Sequence, residues 1–284
     1  MLDMLLRRVL ITLVAVTCVI YTTAQSKSTL PIKLRVGTYN VGHFNQGMKG
    51  GLEVRGKIQY PNNKEITSKY IKQELFSWKK WIGEQSLDIL AVQEWNKYFD
   101  QDSTYIAADE LLKPYYKNIY FGTEHTWIYN GIATNYQLSN LRQKYWHEDY
   151  YALIGDLKIG DQVVQIISTH IPWQEKGHKS SLNLLIADLK KYKHFICFLD
   201  TNASDEEILN FPAVGFNIAN GGPQGWFVTS AGNVHLDRMK DGPNRHIDNI
   251  ITSSNIKIMN VSAPYTKLND MDHLPVIADV IITE

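Results

Sequence analysis

Asp88-Ile89-Leu90-Ala91-Val92-Gln93-Glu94 is the stretch on which the fold turns. A short apolar run of this kind reads as a β-strand, and it stops abruptly at an amide and a carboxylate. The pattern recurs outward in both directions. Leu34–Tyr39 ends in Asn40, Gln165–Thr169 ends in His170, and Phe195–Leu199 ends in Asp200 with Asn202 two residues on. His246–Ile251 carries Asp248 inside the run, and Met271-Asp272-His273 precedes a last apolar run, Pro275–Ile282. A rigid sheet presents side chains to one cleft at its strand ends. Six ends carrying the same metal-, phosphate- and proton-binding chemistry are therefore expected to converge on one site.

The residue types define what such a site does. Glu94 and Asp272 are hard oxygen donors, and magnesium takes one or two carboxylates, several waters and a substrate phosphate oxygen. Glu94 is the first candidate metal ligand and Asp272 the second, with Asn40 helping to place the ion. Asp248 and His273 read as an acid–histidine pair, in which a carboxylate fixes the ring tautomer and raises its basicity. His273 then serves either as general base toward water or as a charged stabiliser of the transition state. Asp200 and Asn202, two residues apart, point into the same cleft; an amide donates to a phosphoryl oxygen without adding charge, and the carboxylate orients or deprotonates water. No Ser-His-Asp ordering, Walker A loop, paired CxxC or HExxH supports a competing chemistry.

The segments TYNVG (38–42), DILAVQE (88–94), NGIATN (130–135), STHIPW (168–173), FLDTNAS (198–204), RHIDNIITS (245–253) and DMDHLPV (270–276) occur in the order found in the endonuclease/exonuclease/phosphatase superfamily. The chain resembles that deoxyribonuclease I-like family over residues 32–284. The resemblance implies a four-layer α/β sandwich, with two packed mixed β-sheets flanked by helices. It implies a Mg²⁺-dependent phosphoric-ester hydrolase, with Mn²⁺ able to substitute. His170 would contact a phosphate oxygen or protonate the leaving group, and Asn40, Asn202 and His170 would hold the substrate. The chain departs from its relatives at Gly42, where AP endonucleases carry an acid, and at Asn96, where pancreatic-type deoxyribonucleases carry an arginine. Both of those narrower assignments are weakened.

Residues 1–24 look like a signal peptide: Arg7 and Arg8 precede an apolar stretch from Val9 to Tyr21, and Thr22-Thr23-Ala24 suits cleavage. The expected catalytic domain is 25–284, in an exported protein of the periplasm or exterior. An anchor retained at the N-terminus is the alternative. The 284 residues include 29 basic and 29 acidic side chains, so net charge gives no footprint for nucleic acid. Cleavage removes Cys18 and leaves Cys197, a small core residue with no partner for a disulfide.

Strands are expected at 32–41, 88–93, 117–122, 127–135, 150–158, 161–169, 194–199, 226–229, 246–252, 256–260 and 275–282, with helices at 66–85 and 180–191 and a shorter one near 103–112. Ile66, Tyr70, Ile71, Phe76, Trp78, Trp81 and Ile82 mostly share one helix face. The glycine-rich segment 42–63 reads as a surface connection or a lid over the phosphate. Trp95, Tyr98, Trp127, Trp173 and Trp226 lie near the expected rim, as core anchors, stacking platforms or lipid-facing groups.

The first functional expectation is a phosphodiesterase acting on nucleic acid. The second is a sphingomyelinase- or phosphoinositide-type phospholipid hydrolase. The third, outside the enzymes, is a catalytically silent binding protein of the same fold. The partner is a phosphate-ester substrate, nucleic acid or phospholipid headgroup; no obligate protein partner is inferred, and the chain is expected to be a monomer.

Overall fold

Two six-stranded mixed sheets pack face to face in the computed structural model, which describes residues 31–45, 64–100, 102–123, 128–230, 245–268 and 272–283. The proposed leader at 1–24, most of the 42–63 connection and Trp127 lie outside the described residues. The first sheet holds β1 (Ile32–Asn40), β2 (Ile89–Gln93), β3 (Asn118–Phe121), β4 (Gly131–Thr134), β11 (Ile256–Ser262) and β12 (Val276–Ile282), in the order β11-β12-β1-β2-β4-β3. The second holds β5 (Leu138–His147), β6 (Tyr150–Ile159), β7 (Gln162–His170), β8 (Phe195–Asp200), β9 (Asn217–Ile218) and β10 (Asp248–Thr252), ordered β5-β6-β7-β8-β10-β9. In each sheet one parallel pair, β1/β2 or β7/β8, sits among antiparallel neighbours. The two sheets repeat one pairing pattern.

The continuous apolar runs have a direct cause. Leu34, Val36, Ile89 and Ala91 of the first sheet meet Ile166, Ile196, Phe198 and Ile250 of the second in the layer between them. Leu90 and Val92 point the other way, under Trp78, Trp81 and Ile82 of helix α1 (Lys64–Gln85) and Leu111 of α2 (Ala107–Leu111). Phe195, Cys197 and Leu199 likewise pack outward, against Leu182, Leu185 and Leu189 of α3 (Glu175–Leu189). A strand covered on both faces has no solvated side and cannot alternate. The result is helix, sheet, sheet, helix: the four-layer α/β sandwich. Burial pushes the Cys197 thiol up, keeping it an inert core group.

The structure departs from the sequence reading at four places. The second strand sheet begins with β5, which has no counterpart in the sequence reading. Its residues LSNLRQKYWH are mostly exposed, and bulges fall between Ser139/Arg142 and Tyr145/His147. An edge strand needs few apolar residues, and bulges and charges protect its open side. Residues 226–229 form no strand; the short β9 at 217–218 occupies the place beside β10 instead. Phe76, assigned to the buried face of α1, is 67% exposed. Helix α3 starts five residues earlier than expected, across a kink at Lys176 and Gly177. Two short helices, α4 (Asp205–Ile208) and α5 (Asn210–Ala213), follow β8.

Candidate active site

Strand direction brings the predicted residues to one edge. The parallel pair β1/β2 sets Asn40 beside Gln93, and β7/β8 sets His170 beside Asp200. Antiparallel β10 starts where β8 ends, which places Asp248 opposite Asp200. Strand β12 begins at the same edge, so Asp272 and His273, just before it, arrive there too. Near this edge the layer between the sheets changes from apolar to polar. Thr38 Oγ1 donates to Gln93 Oε1 at 3.1 Å, and Gln93 Nε2 donates across the sandwich to Ser168 Oγ at 3.2 Å.

The side chains form one connected set. Asn40 Nδ2 donates to Glu94 Oε1 at 3.2 Å and to Asp200 Oδ2 at 2.9 Å, while Gly42 N holds its Oδ1 at 2.9 Å. With its oxygen occupied, this amide turns its donor toward both acids and fixes them. His170 Nε2 stands 3.2 Å from Glu94 Oε1 and 3.5 Å from Asp200 Oδ2, and its Nδ1 is 2.9 Å from Ile171 O. His273 Nδ1 donates to Asp248 Oδ2 at 2.8 Å, and its Nε2 lies 3.9 Å from Asp200 Oδ2. Asn202 N donates to Asp200 Oδ1 at 2.8 Å, and its Nδ2 donates to Ile171 O at 3.1 Å. Asp272 is buried next to His273, and its charge acts on His273 and Tyr39. Glu94 and His273 thus face one cleft through His170 and Asp200.

His170 has an acceptor at each ring nitrogen, the arrangement that suits the doubly protonated form, while His273 has one at Nδ1 and a carboxylate oxygen 3.9 Å from Nε2. Burial pulls the His170 pKa down, but Asp200 and Glu94 reverse this and hold it above the ordinary imidazole value. For His273 the same contest between burial and the Asp248 carboxylate ends with the pKa raised, to about 10. Asp248 is itself pushed up by burial, with His273 pulling it back. The shared proton sits on the imidazole.

Two residues that the sequence reading passed over belong to this set. His43 Nε2 lies 3.5 Å from Glu94 Oε2, and His43 N donates to Glu94 O at 2.8 Å. The Tyr150 ring packs 5.5 Å from that of His170, and its hydroxyl donates to Gln174 Oε1 at 3.1 Å. Burial, reinforced by Glu94 and Asp200, raises the Tyr150 phenol and keeps it neutral. The signal for His43 was its place three residues after Asn40; Tyr150 had none, being one aromatic among many. Backbone strain concentrates here as well. His43, Phe44, Glu94 and Asn202 have φ of 55°, 57°, 50° and 46°, a left-handed conformation costing about 1–2 kcal/mol for each such side chain. Such strain persists where surrounding structure over-determines it, characteristically at functional sites.

The donor set fits a divalent cation. Glu94, Asp200, Asp248 and Asp272 are buried carboxylates that outnumber the imidazoles His43, His170 and His273, leaving the cluster anionic. Ligand atoms of Asp200, Asp248 and His273 lie within 4.8 Å of one another. Because Asp248 already binds His273, the carboxylates of Glu94, Asp200 and Asp272 are the better suited to a hard ion.

No family model and no curated protein match the chain. Solved structures do. An endonuclease/exonuclease/phosphatase family protein of Bacteroides thetaiotaomicron aligns at 14% identity over 90% of this chain and 97% of its own, with a TM-score of 0.61. TDP2 of D. rerio, humanized by 14 mutations, aligns at 11% identity over 87% and 98%, with a TM-score of 0.61. ANGEL2, a 2′,3′-cyclic phosphatase in complex with adenosine-2′,3′-vanadate, aligns at 14% identity over 89% and 96%, again at 0.61. At these identities the likeness is one of fold, and it extends over nearly the full length of each partner.

Proposed function

On the endonuclease/exonuclease/phosphatase fold, we propose that this protein is a Mg²⁺-dependent phosphodiesterase that hydrolyses a nucleic-acid phosphate ester by in-line attack of water. The observation that carries the reading is the unbroken chain of contacts from Glu94 through His170 and Asp200 to the His273–Asp248 pair. The ANGEL2 complex supports it, since a vanadate ester occupies a protein of the same fold.

Glu94 and Asp272 would hold the metal, Mg²⁺ or Mn²⁺, with Asn40 fixing Glu94. A divalent ion there would neutralise phosphoryl charge. Asp200, held by Asn40 Nδ2 and Asn202 N, receives the proton of the attacking water. His273, kept protonated by Asp248, neutralises charge on a non-bridging oxygen and acts as a stabiliser rather than a base. His170, protonated between Glu94 and Asp200, donates to a phosphoryl oxygen on the same side as the attacking water, and the departing oxygen takes its proton from solvent. Asn202 donates its second Nδ2 proton to the phosphoryl group and helps hold the ester in line, while Asn40, whose Nδ2 protons go to Glu94 and Asp200, keeps those carboxylates in place. No covalent intermediate is required. We further propose that residues 1–24 direct export and that 25–284 work as a monomer outside the cytoplasm.

The test presents the mature protein with plasmid DNA, RNA, sphingomyelin and a phosphoinositide, each with Mg²⁺ and with EDTA. Cleavage of nucleic acid that stops in EDTA and in His273→Ala supports the proposal. Headgroup or phosphate release with nucleic acid untouched transfers it to phospholipid. In Glu94→Gln, calorimetric Mn²⁺ affinity should fall at least about tenfold, as one charged ligand is lost; unchanged affinity removes Glu94 from the metal site.

A further inference from the structure

A groove of about 600 Å³ opens beside the candidate active site and shares Asn202 with it. Three elements at the same sheet edge wall it: the turn from β7 into α3, the turn from β8 into α4, and the lead-in to β10. They are tied to one another. His178 Nε2 on α3 lies 3.5 Å from Glu207 Oε1 on α4, His246 Nδ1 lies 2.9 Å from Asp205 Oδ1, and Arg245 Nη2 donates to Asn202 O at 3.3 Å. The walls are thus braced before any ligand arrives. At the mouth stands Trp173, 64% exposed, an indole face given to water directly after His170-Ile171-Pro172. Exposing so large a ring forfeits burial that most tryptophans obtain.

From this geometry we propose that the groove is the subsite for the nucleobase of the nucleotide unit whose phosphate lies at His170, Asn202 and His273. The inference rests on the nucleic-acid phosphoester reading of that site and adds the place where the base is recognised. The lining decides it. Asp205 and Glu207 are contacted by His246 and His178, and Glu175 faces the same groove as Lys179 and Arg245. Such a wall has no excess of cations for a run of phosphates, and the whole chain, with 29 bases and 29 acids, has none either. Nor does it offer a surplus of unpaired acid around the indole for a quaternary ammonium headgroup. What remains is a polar but uncharged aromatic ring, which stacks on Trp173 and bonds to donors and acceptors at its edge. Recognition is therefore of one nucleotide unit, not of a long polyanion.

Equilibrium binding of AMP, ribose 5-phosphate and phosphocholine to the full mature protein, measured by calorimetry with Mn²⁺ present, tests this without requiring turnover. AMP should bind at least about tenfold tighter than ribose 5-phosphate, the margin expected of one base stacked on an aromatic ring. Trp173→Ala should bring AMP down to the level of ribose 5-phosphate, and Trp173→Phe should restore part of the margin, with unchanged circular dichroism in both. Equal binding of AMP and ribose 5-phosphate, a margin that survives Trp173→Ala, or preference for phosphocholine overturns the assignment. If such a protein still hydrolyses base-free esters, the groove assignment alone is lost. If no phosphate compound binds and no ester is cleaved, the proposed function falls with it.

Discussion

Replacing Asp248 by asparagine isolates the charge in the His273 pair from its geometry. An amide oxygen can still accept the Nδ1 proton at about the 2.8 Å seen for the carboxylate, so the ring stays in place while the negative charge goes. A hydrogen bond to a charged partner contributes about 1.5–3 kcal/mol, which corresponds to about 1–2 pKa units on His273. The shift is downward, because the lost carboxylate favoured the protonated ring. Asp200, 3.9 Å from Nε2, retains part of the effect. The ring resonances of His273, assigned by comparison with His273→Gln, report the pKa by NMR titration. The alkaline limb of the pH–rate profile should move to lower pH by the same amount, with kcat at neutral pH little changed because the ring is still protonated there. An unmoved His273 titration, or an alkaline limb that stays where it was, refutes the assignment of His273 as the charged stabiliser.

The same pair makes stability depend on pH. A histidine whose folded pKa is raised contributes stability in full below its unfolded value, about 6.5; the contribution fades as pH climbs through the folded value, about 10 for His273. Urea midpoints of the wild type should therefore fall between pH 7 and 10, and His273→Gln should flatten that slope; parallel slopes would mean another group is responsible. At the start of α4, Ser204 Oγ accepts from Glu207 N at 3.3 Å while Glu207 Oε2 accepts from Ser204 N at 2.9 Å, a reciprocal capping box. Ser204→Ala should cost about 1 kcal/mol in chemical denaturation, and a loss near zero would show that the cap is not stabilising.

How much was legible in the sequence depended on whether the relevant contact was local. The strand ends Asn40, Glu94, His170, Asp200 and Asp248 could be read because a strand buried on both faces leaves an apolar run, and the polar residues at its end mark the sheet edge. Strand β5 could not, since an edge strand with one open side needs little apolar pattern. The segment 226–229 misled for the opposite reason. It has strand-like residues, yet Asn220 fixes Phe227 by backbone bonds, Phe227 N to Asn220 Oδ1 at 2.8 Å and Asn220 Nδ2 to Phe227 O at 2.9 Å. An asparagine side chain there supplies the pairing that a neighbouring strand would have given.

Sequence by itself determined the alternation of buried strands and polar ends, and hence the sandwich and the inventory of acids, amides and histidines at its rim. That much follows from hydrophobic burial, which acts on each segment through its own side chains. The tertiary structure alone decided which inventory members touch. It placed His43 on Glu94 and Tyr150 against His170, turned Asn40 toward two carboxylates, and set Asp248 where it holds His273 protonated. Electrostatic shifts and hydrogen bonds depend on separations of a few ångströms between residues distant in the chain, and only the packing of the two sheets fixes those separations.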